Sequence, residues 1–436
     1  MGVTADSQTL SQEPVDGWWP SAHLAEIGTA PVEVRAGGRA WVAFRATPDA
    51  PVSVVEERCP HRLVRLAHAT NVGGRLQCAY HGWQFGPDGA CLLVPSSGPD
   101  ALVPGRAHLR IPWAVRERDG VLWVAPTDPA GRDELPADDR GTDDALTNRD
   151  PSLEHGWHPL ALSHEVGGDL EGTGDPEGTA VRLLGRAYTL TRGGDGAVRV
   201  DPAVAAVEER FGVVWAAPLP PRVPLMDSAD DADPQFAQGW LVPDTSSSPA
   251  GALAENFLDV AHFPFVHAGT FGAAEEPYVE PFEVELDDDG LGSSQVQWFD
   301  NPGDPGVAAG ERPVRQRRRA TYTYRWPFQL QLRLEELDAG AVKTIVFFLQ
   351  PQDHDSTRIY TKMLLHGIGG VAVPDASVVA DEVAFEVAVL AEDLALQRAM
   401  TVTGLPLRLK DELHVRSDRS GVALRRILTH HRKADL

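Results

Sequence analysis

Two cysteine–histidine pairs constrain this chain more than anything else in it: Cys59-Pro60-His61 and, after sixteen intervening residues, Cys78-Ala79-Tyr80-His81. Each pair offers one thiolate and one imidazole from a tight loop. Two such loops closing on each other present two sulfurs and two nitrogens, the donor set of a [2Fe–2S] cluster with both thiolates on one iron and both imidazoles on the other. Tetrahedral zinc is the alternative, but zinc sites of this composition normally pair Cys with Cys and His with His along the chain. Cys91 stands alone in Gly89-Ala90-Cys91-Leu92 and suits a packing role. Three cysteines make no disulfide framework, and their sparseness fits a cytosolic chain.

The second constellation runs from Glu255 to His267 as ENFLDVAHFPFVH. Mononuclear Fe(II) sites use two histidines and a carboxylate on one face, leaving positions open for dioxygen and substrate. His262 and His267 are five apart, and a regular helix would turn them away from each other; Pro264 breaks that turn and lets the imidazoles converge. Asp259 lies one helical turn before His262, within hydrogen-bonding reach. Two ordinary histidines at a helix end are the alternative reading.

Short β-type runs (AWVAF, PVSVVEE, RLQCAYHGWQF, GVLWVAP) broken by GGR, GPDGA and SSGPD make residues 17 to 126 an all-β domain. An acidic stretch, GRDELPADDRGTDDALTNRDPS, reads as a linker. Residues 155 to 218 then echo the first domain: Gly17-Trp18-Trp19-Pro20 against Gly156-Trp157-His158-Pro159, Gly38-Arg39-Ala40-Trp41 against Gly185-Arg186-Ala187-Tyr188, and ERDGVLWVAP against ERFGVVWAAP. The first copy is about 50 residues longer between the second and third echoes, and the extra part holds both Cys-His pairs. This predicts a partial, degenerate duplicate that lost the metal lobe; chance similarity between β-rich segments is the alternative. A third region mixes β runs with a helical segment from about Ala376 to Met400 that lacks Gly and Pro, which gives an α+β class with strands around one long helix. The run Arg312 to Arg319 reads as a solvated strand or loop.

With 63 acidic against 39 basic residues, the formal charge of −24 argues against nucleic acid or anionic membrane as partner. No apolar run approaches a bilayer span and the N-terminus shows no signal-peptide pattern, so a cytoplasmic protein is expected.

Residues 17 to 126 resemble the Rieske domain of bacterial ring-hydroxylating oxygenases through CPHR, CAYHGWQF and GVLWVAP, with LVRLAH departing from the turn usual after CPHR. ENFLDVAHFPFVH resembles the D-x2-H-x4-H motif of Rieske oxygenase catalytic domains, of the ring-hydroxylating and oxidative demethylase type. The resemblance implies domains at 1–128 (Rieske), 129–154 (acidic linker), 155–220 (degenerate repeat without cluster ligands) and 221–436 (catalytic, an antiparallel sheet around a long helix). It implies that Cys59, His61, Cys78 and His81 bind the [2Fe–2S] cluster, and that His262 and His267 bind Fe(II). Asp393, in AEDLALQ, completes that triad in preference to Asp381 or Glu386 on the same segment. Asp259 and Asn256 are the expected catalytic residues, with Asp259 bridging His81 of one subunit to His262 of the next in a head-to-tail homotrimer, because the centres of one chain are too far apart in the family. The implied function is that of a terminal oxygenase, which hydroxylates, dihydroxylates or oxidatively dealkylates a small aromatic or apolar substrate with O2. A ferredoxin or flavin reductase would supply electrons. Separately, Arg58, Arg62, Arg65 and Arg75 make the cluster loop locally basic on an acidic chain, which reads either as a docking patch for an acidic ferredoxin or as ordinary solvated arginines. An oxidative cyclisation or desaturation, or electron transfer without catalysis, are the competing outcomes.

Overall fold

The structure is a computed structural model that describes residues 13–131, 144–167, 178–272, 276–400 and 402–434. The extreme N-terminus and residues 132–143 of the expected linker lie outside the described residues.

The first domain is built from β1 (Trp19–His23), β2 (Val32–Ala36), β3 (Arg39–Arg45), β4 (Val52–Glu56), β5 (Thr70–Val72), β6 (Arg75–Gln77), β7 (Gln84–Phe85), β8 (Cys91–Leu93), β9 (Ala114–Arg118) and β10 (Val121–Ala125). These form three antiparallel sheets, β1-β10-β9, β2-β3-β4 and β5-β6-β7-β8. Cys59 and His61 follow β4, and Cys78 and His81 sit in the turn between β6 and β7, so the two loops protrude from one apolar core of Val42, Phe44, Val55, Leu76, Trp83 and Phe85.

After β11 (Ala145–Leu146) come β12 (His158–Leu162), β13 (Thr179–Leu183), β14 (Arg186–Arg192), β15 (Val198–Asp201), β16 (Ala206–Arg210) and β17 (Val213–Ala217). Sheet β12-β17-β16 reproduces β1-β10-β9 pair for pair, including a bulge after Pro159 that matches the one after Pro20. Both hairpins turn through two positive-φ residues, Asp119-Gly120 and Phe211-Gly212, as the twist of two-residue hairpins requires. Sheet β13-β14-β15 parallels β2-β3-β4, but β15 ends at Asp201 and β16 begins at Ala206, leaving no room for a cluster lobe.

Part of the expected linker is fixed structure. β11 pairs with Leu405–Pro406, and buried Asn148 donates to the carbonyls of Asp353 and Ser356 while accepting from Ala250 N. A side chain that satisfies three backbone groups holds a polar segment in place although its composition reads as a connector.

The third domain adds α1 (Ala229–Ala232), β18 (Ala237–Trp240), β19 (Asp244–Ser246), α2 (Ala250–Leu258), α3 (Phe263–Val266), β20 (Val284–Leu286), β21 (Gly290–Asp300), α4 (Pro305–Ala308), β22 (Arg315–Arg325), β23 (Gln329–Glu336), β24 (Val342–Asp353), β25 (Ser356–His366), α5 (Ala376–Gln397), β26 (Leu405–Pro406) and α6 (Arg419–Lys433). Its eight-stranded antiparallel sheet runs β18-β25-β24-β23-β22-β21-β20, with β19 also on β25. One face packs Tyr322, Tyr324, Leu330 and Phe347 against Leu253 and Leu258 of α2, Leu394 of α5 and Leu424 of α6. On the opposite face Val346, Phe348, Tyr360 and Leu364 meet Trp157, Val213 and Trp215 of the repeat. The repeat therefore seals the back of the sheet. The long helix packs on the first of these faces, its first turn capped by Asp375, which accepts from Ser377 N and Val378 N.

The first and third domains are locked together by buried charge. Arg62, 2% exposed, pairs with Glu255 at 3.0 Å and Asp418 at 3.3 Å, and donates to the Leu413 carbonyl at 3.2 Å. Burial opposes its charge, but Glu255 and Asp418 overcome that and hold its pKa above the usual arginine value. Arg425 of α6 completes the network by pairing with Glu255 and Glu412. Arg62 is thus withdrawn from the surface and is no docking residue, contrary to the sequence expectation; Arg65 lies at the rim, paired with Glu57 and Glu33. Arg62→Met should destabilise the protein by about 3–5 kcal/mol, since it strands buried carboxylates, whereas Arg65→Met should cost about 1 kcal/mol or less. Thermal unfolding of the two variants compares them; equal midpoints would remove the distinction.

Candidate metal centres and their bridge

The two cluster loops meet as the spacing predicts. Cys59 and Cys78 are buried side by side, and the His61 and His81 ring centroids are 4.3 Å apart. His61 stacks on Trp83 at 4.6 Å, its Nε2 facing Asp418 at 3.0 Å and its Nδ1 buried without a partner. Burial pushes the His61 pKa down to about 4, so the ring stays neutral, the form a metal requires. An orphaned Nδ1 beside two buried thiols fits the donor set of a two-thiolate, two-imidazole cluster.

At the second centre, α2 stops at Leu258, Asp259 adopts an extended conformation, and Pro264 opens the single turn α3. His262 and His267 bracket that turn as its two caps, which brings their Nε2 atoms to 3.1 Å. Asp393 Oδ1 lies 3.4 Å from both. These three donors fall within 4.8 Å of one another, the only such group of three among the described residues. Two imidazoles plus one carboxylate gathered this closely suit ferrous iron. Burial opposes protonation of His262, yet the Asp259 and Asp393 carboxylates raise its pKa to about 9.

Both histidines are oriented from behind. His267 Nδ1 faces Glu392 Oε2 at 2.9 Å, and Thr270 donates to the same oxygen at 2.8 Å. Sequence reasoning treated Glu392 only as a neighbour of Asp393; its position one residue earlier on α5 was the available signal. Asn256 donates to Asp393 Oδ1 and to Tyr80 Oη, both at 3.2 Å, and so ties the carboxylate to the cluster loop.

Asp259 joins the centres. Its Oδ2 is 2.6 Å from His81 Nε2, its Oδ1 accepts from Ala261 N at 2.6 Å, and His262 Nδ1 sits 3.9 Å from Oδ1, an electrostatic contact rather than a hydrogen bond. Burial would raise the Asp259 pKa, but His81 and His262 hold it well below the carboxylate range. All three residues belong to one chain. The sequence reading placed this bridge between subunits; here the Arg62 lock docks the cluster loops directly on α2 and α3. Gly82 allows that approach, because at φ +66° a Cβ would also strike the Phe265 ring.

Residues 17–110 match the family model of the Rieske [2Fe-2S] domain, and 247–434 match the vanillate O-demethylase oxygenase C-terminal domain. The chain belongs to the Rieske non-haem iron oxygenases. Among curated relatives, it is 35% identical over 136 residues to the 3-chlorobenzoate-3,4-dioxygenase oxygenase subunit of Comamonas testosteroni, 28% of this chain and 31% of that protein. It is 28% identical over 292 residues to the probable methylxanthine N7-demethylase NdmC of Pseudomonas sp. (strain TJI-51), 62% and 92% of the two chains. A Pseudomonas putida CBB5 NdmA structure with caffeine aligns over 94% of this chain and 88% of that one, at 18% identity and a TM-score of 0.39. The matched segment spans about a third or less of several curated relatives, 19% of the pea chloroplast protein TIC 55 for example.

Of the two other acids considered for the triad, Asp381 is exposed and Glu386 lies two turns before Asp393, outside the cluster of donors. Burial pushes Glu386 up to about 7, with Lys343 opposing. An acid raised this way costs stability as pH climbs from its unfolded value through 7. Glu386→Gln should therefore match wild type near pH 4 and exceed it by up to about 3 kcal/mol at pH 8; identical unfolding profiles at both pH values would refute this. Glu392→Ala should weaken Fe(II) binding roughly 10- to 100-fold with sulfide content unchanged, read by anaerobic titration.

Proposed function

We propose that this chain is the terminal oxygenase of a Rieske system. In this reading Cys59, His61, Cys78 and His81 hold the [2Fe–2S] cluster, and His262, His267 and Asp393 hold Fe(II). It oxidises a small aromatic or otherwise apolar molecule by hydroxylation or oxidative dealkylation, taking O2 and electrons from a ferredoxin or flavin reductase in the cytoplasm. Among the described residues no helix is long and apolar enough to cross a membrane. The 2.6 Å contact between His81 and Asp259, with His262 on the far side, carries the reading, because a pure electron carrier has no use for it.

Cys59, His61, Cys78 and His81 would hold a one-electron carrier, and His262, His267 and Asp393 would hold a metal able to supply oxygen-activating chemistry. The protein's own part is orientation. Asp259, kept ionised, accepts from His81 Nε2 and so turns Nδ1 toward the cluster position. Asp418 does the same for His61. Glu392 and Asn256 fix His267 and Asp393 so that the three donors share one face and leave the other for substrate. Phe263 and Phe271 flank the histidines. A homotrimer, implied by the resemblance, would be an assembly of chains each of which already contains the bridge.

Iron and acid-labile sulfide on anaerobically purified protein should stand at about three to two; two to two, unchanged after Fe(II) is offered, would leave an electron carrier. Asp259→Asn should keep both metals and a reducible cluster yet lower product formation roughly 100-fold. Normal turnover by that variant would remove the bridge from the mechanism.

A further inference from the structure

One aromatic donor in the core of the first domain is left without an acceptor. Trp83 closes the loop that carries Cys78 and His81: its carbonyl accepts from Cys78 N at 2.9 Å, and its side chain is fully buried. It packs in the apolar core that also holds Cys59, Cys78, Leu76 and Phe85. A buried indole N–H nearly always finds an acceptor. Trp41 and Trp215 follow that rule, donating to the carbonyls of Ala36 at 3.2 Å and Arg210 at 3.1 Å. Trp83 Nε1 departs from it, with no hydrogen-bond partner among the described residues.

The surroundings of the ring narrow what the acceptor can be. Trp83 stacks on His61, with ring centroids 4.6 Å apart and planes within 10° of parallel. His61 Nδ1 is the other orphan here, since Nε2 is turned to Asp418 at 3.0 Å. Two parallel rings, one offering a lone pair and the other an N–H, thus stand together beside the Cys59 and Cys78 thiols. The carbonyls of these cysteines serve Leu63 N and Gly82 N, and neither thiol is in hydrogen-bonding geometry to Nε1. Leaving a buried donor unmade costs about 1–3 kcal/mol. The acceptors that a two-thiolate, two-imidazole cluster adds to this core are its bridging sulfides.

We propose that Trp83 Nε1–H donates to a bridging sulfide of the cluster and thereby sets the potential of the electron carrier. This rests on the assignment of the cluster to Cys59, His61, Cys78 and His81. Reduction adds negative charge that makes the sulfides better acceptors, so the hydrogen bond favours the reduced form and raises the midpoint. Trp83 leans on His61, whereas His81 is the ligand that faces Asp259. The indole therefore tunes how readily an electron is taken up from the side of the cluster away from the bridge to the iron site.

Two measurements on the anaerobic full-length protein test this, and neither needs turnover. Trp83→Phe keeps a ring against His61 and removes the N–H. At a fixed solution potential its reduced-to-oxidised ratio should fall roughly 10-fold, a midpoint lower by about 59 mV for a one-electron couple, read by spectroelectrochemical titration. The second measurement uses wild type and so stands even where the variant assembles no cluster. With all 11 tryptophans carrying ¹⁵N at the indole nitrogen and the histidines left as ¹⁴N, pulsed EPR of the reduced protein should show one weak ¹⁵N coupling. A midpoint unchanged in Trp83→Phe, or no ¹⁵N coupling in wild type, would overturn the assignment. A Rieske EPR signal with its ¹⁴N couplings alongside either result would leave the cluster ligands as assigned. Absence of that signal together with absence of acid-labile sulfide would overturn both.

Discussion

The structure turns on one buried cation. Arg62 leaves the cluster loop, enters the third domain and meets Glu255 and Asp418 there. Such a network adds little net stability relative to apolar packing, because desolvation consumes most of the Coulombic gain. What it supplies is register: a guanidinium with two carboxylates and a carbonyl to satisfy has one position, and sliding the domains would strand charges without water. The apolar contacts beside it, Leu396, Ala399 and Leu413 against the core of the first domain, are compatible with that position without dictating it.

Fixing that position places two carboxylates of the third domain on the two histidines of the first. Asp418 faces His61 and Asp259 faces His81. The first follows from the Arg62 pairing, since Asp418 serves both; the second sets the bridge to His262. The degenerate repeat contributes from the other side of the sheet. Its β12–β17 pair covers Val346, Phe348 and Tyr360, so β24, which carries Phe347 on the helix-covered face, is buried on both faces. Its hairpins and bulges match those of the first domain strand for strand.

Much of this was legible in the sequence because the chemistry is local there. Cys59, His61, Cys78 and His81 sit within 23 residues, and the break at Pro264 between His262 and His267 is visible as a spacing. Asp393 was placed through resemblance, and the geometry puts it beside both imidazoles. Three features were not legible. Arg62 reads as one of several surface arginines, and only the tertiary arrangement, with Glu255, Glu412 and Asp418 far along the chain, makes it a core residue. Asn148 lies in a stretch whose composition signals a linker, and its hydrogen bonds reach across more than 200 residues to β25. Arg318 was taken for part of a solvated run, although period-two alternation of three consecutive arginines on a strand sends one of them to the covered face whenever the other two face water.

The bridge within one chain is tested most directly by mixing. A cluster-deficient variant, Cys59→Ser, and an iron-deficient variant, His262→Ala, are each inactive; they are co-refolded or co-expressed in equal amounts and assayed for product. With His81, Asp259 and His262 joined inside each chain, no mixed assembly contains a complete bridge, and turnover should stay at the level of the separate variants. Recovery to a substantial fraction of wild-type activity would show that electrons pass between chains and that the Arg62 interface forms across subunits.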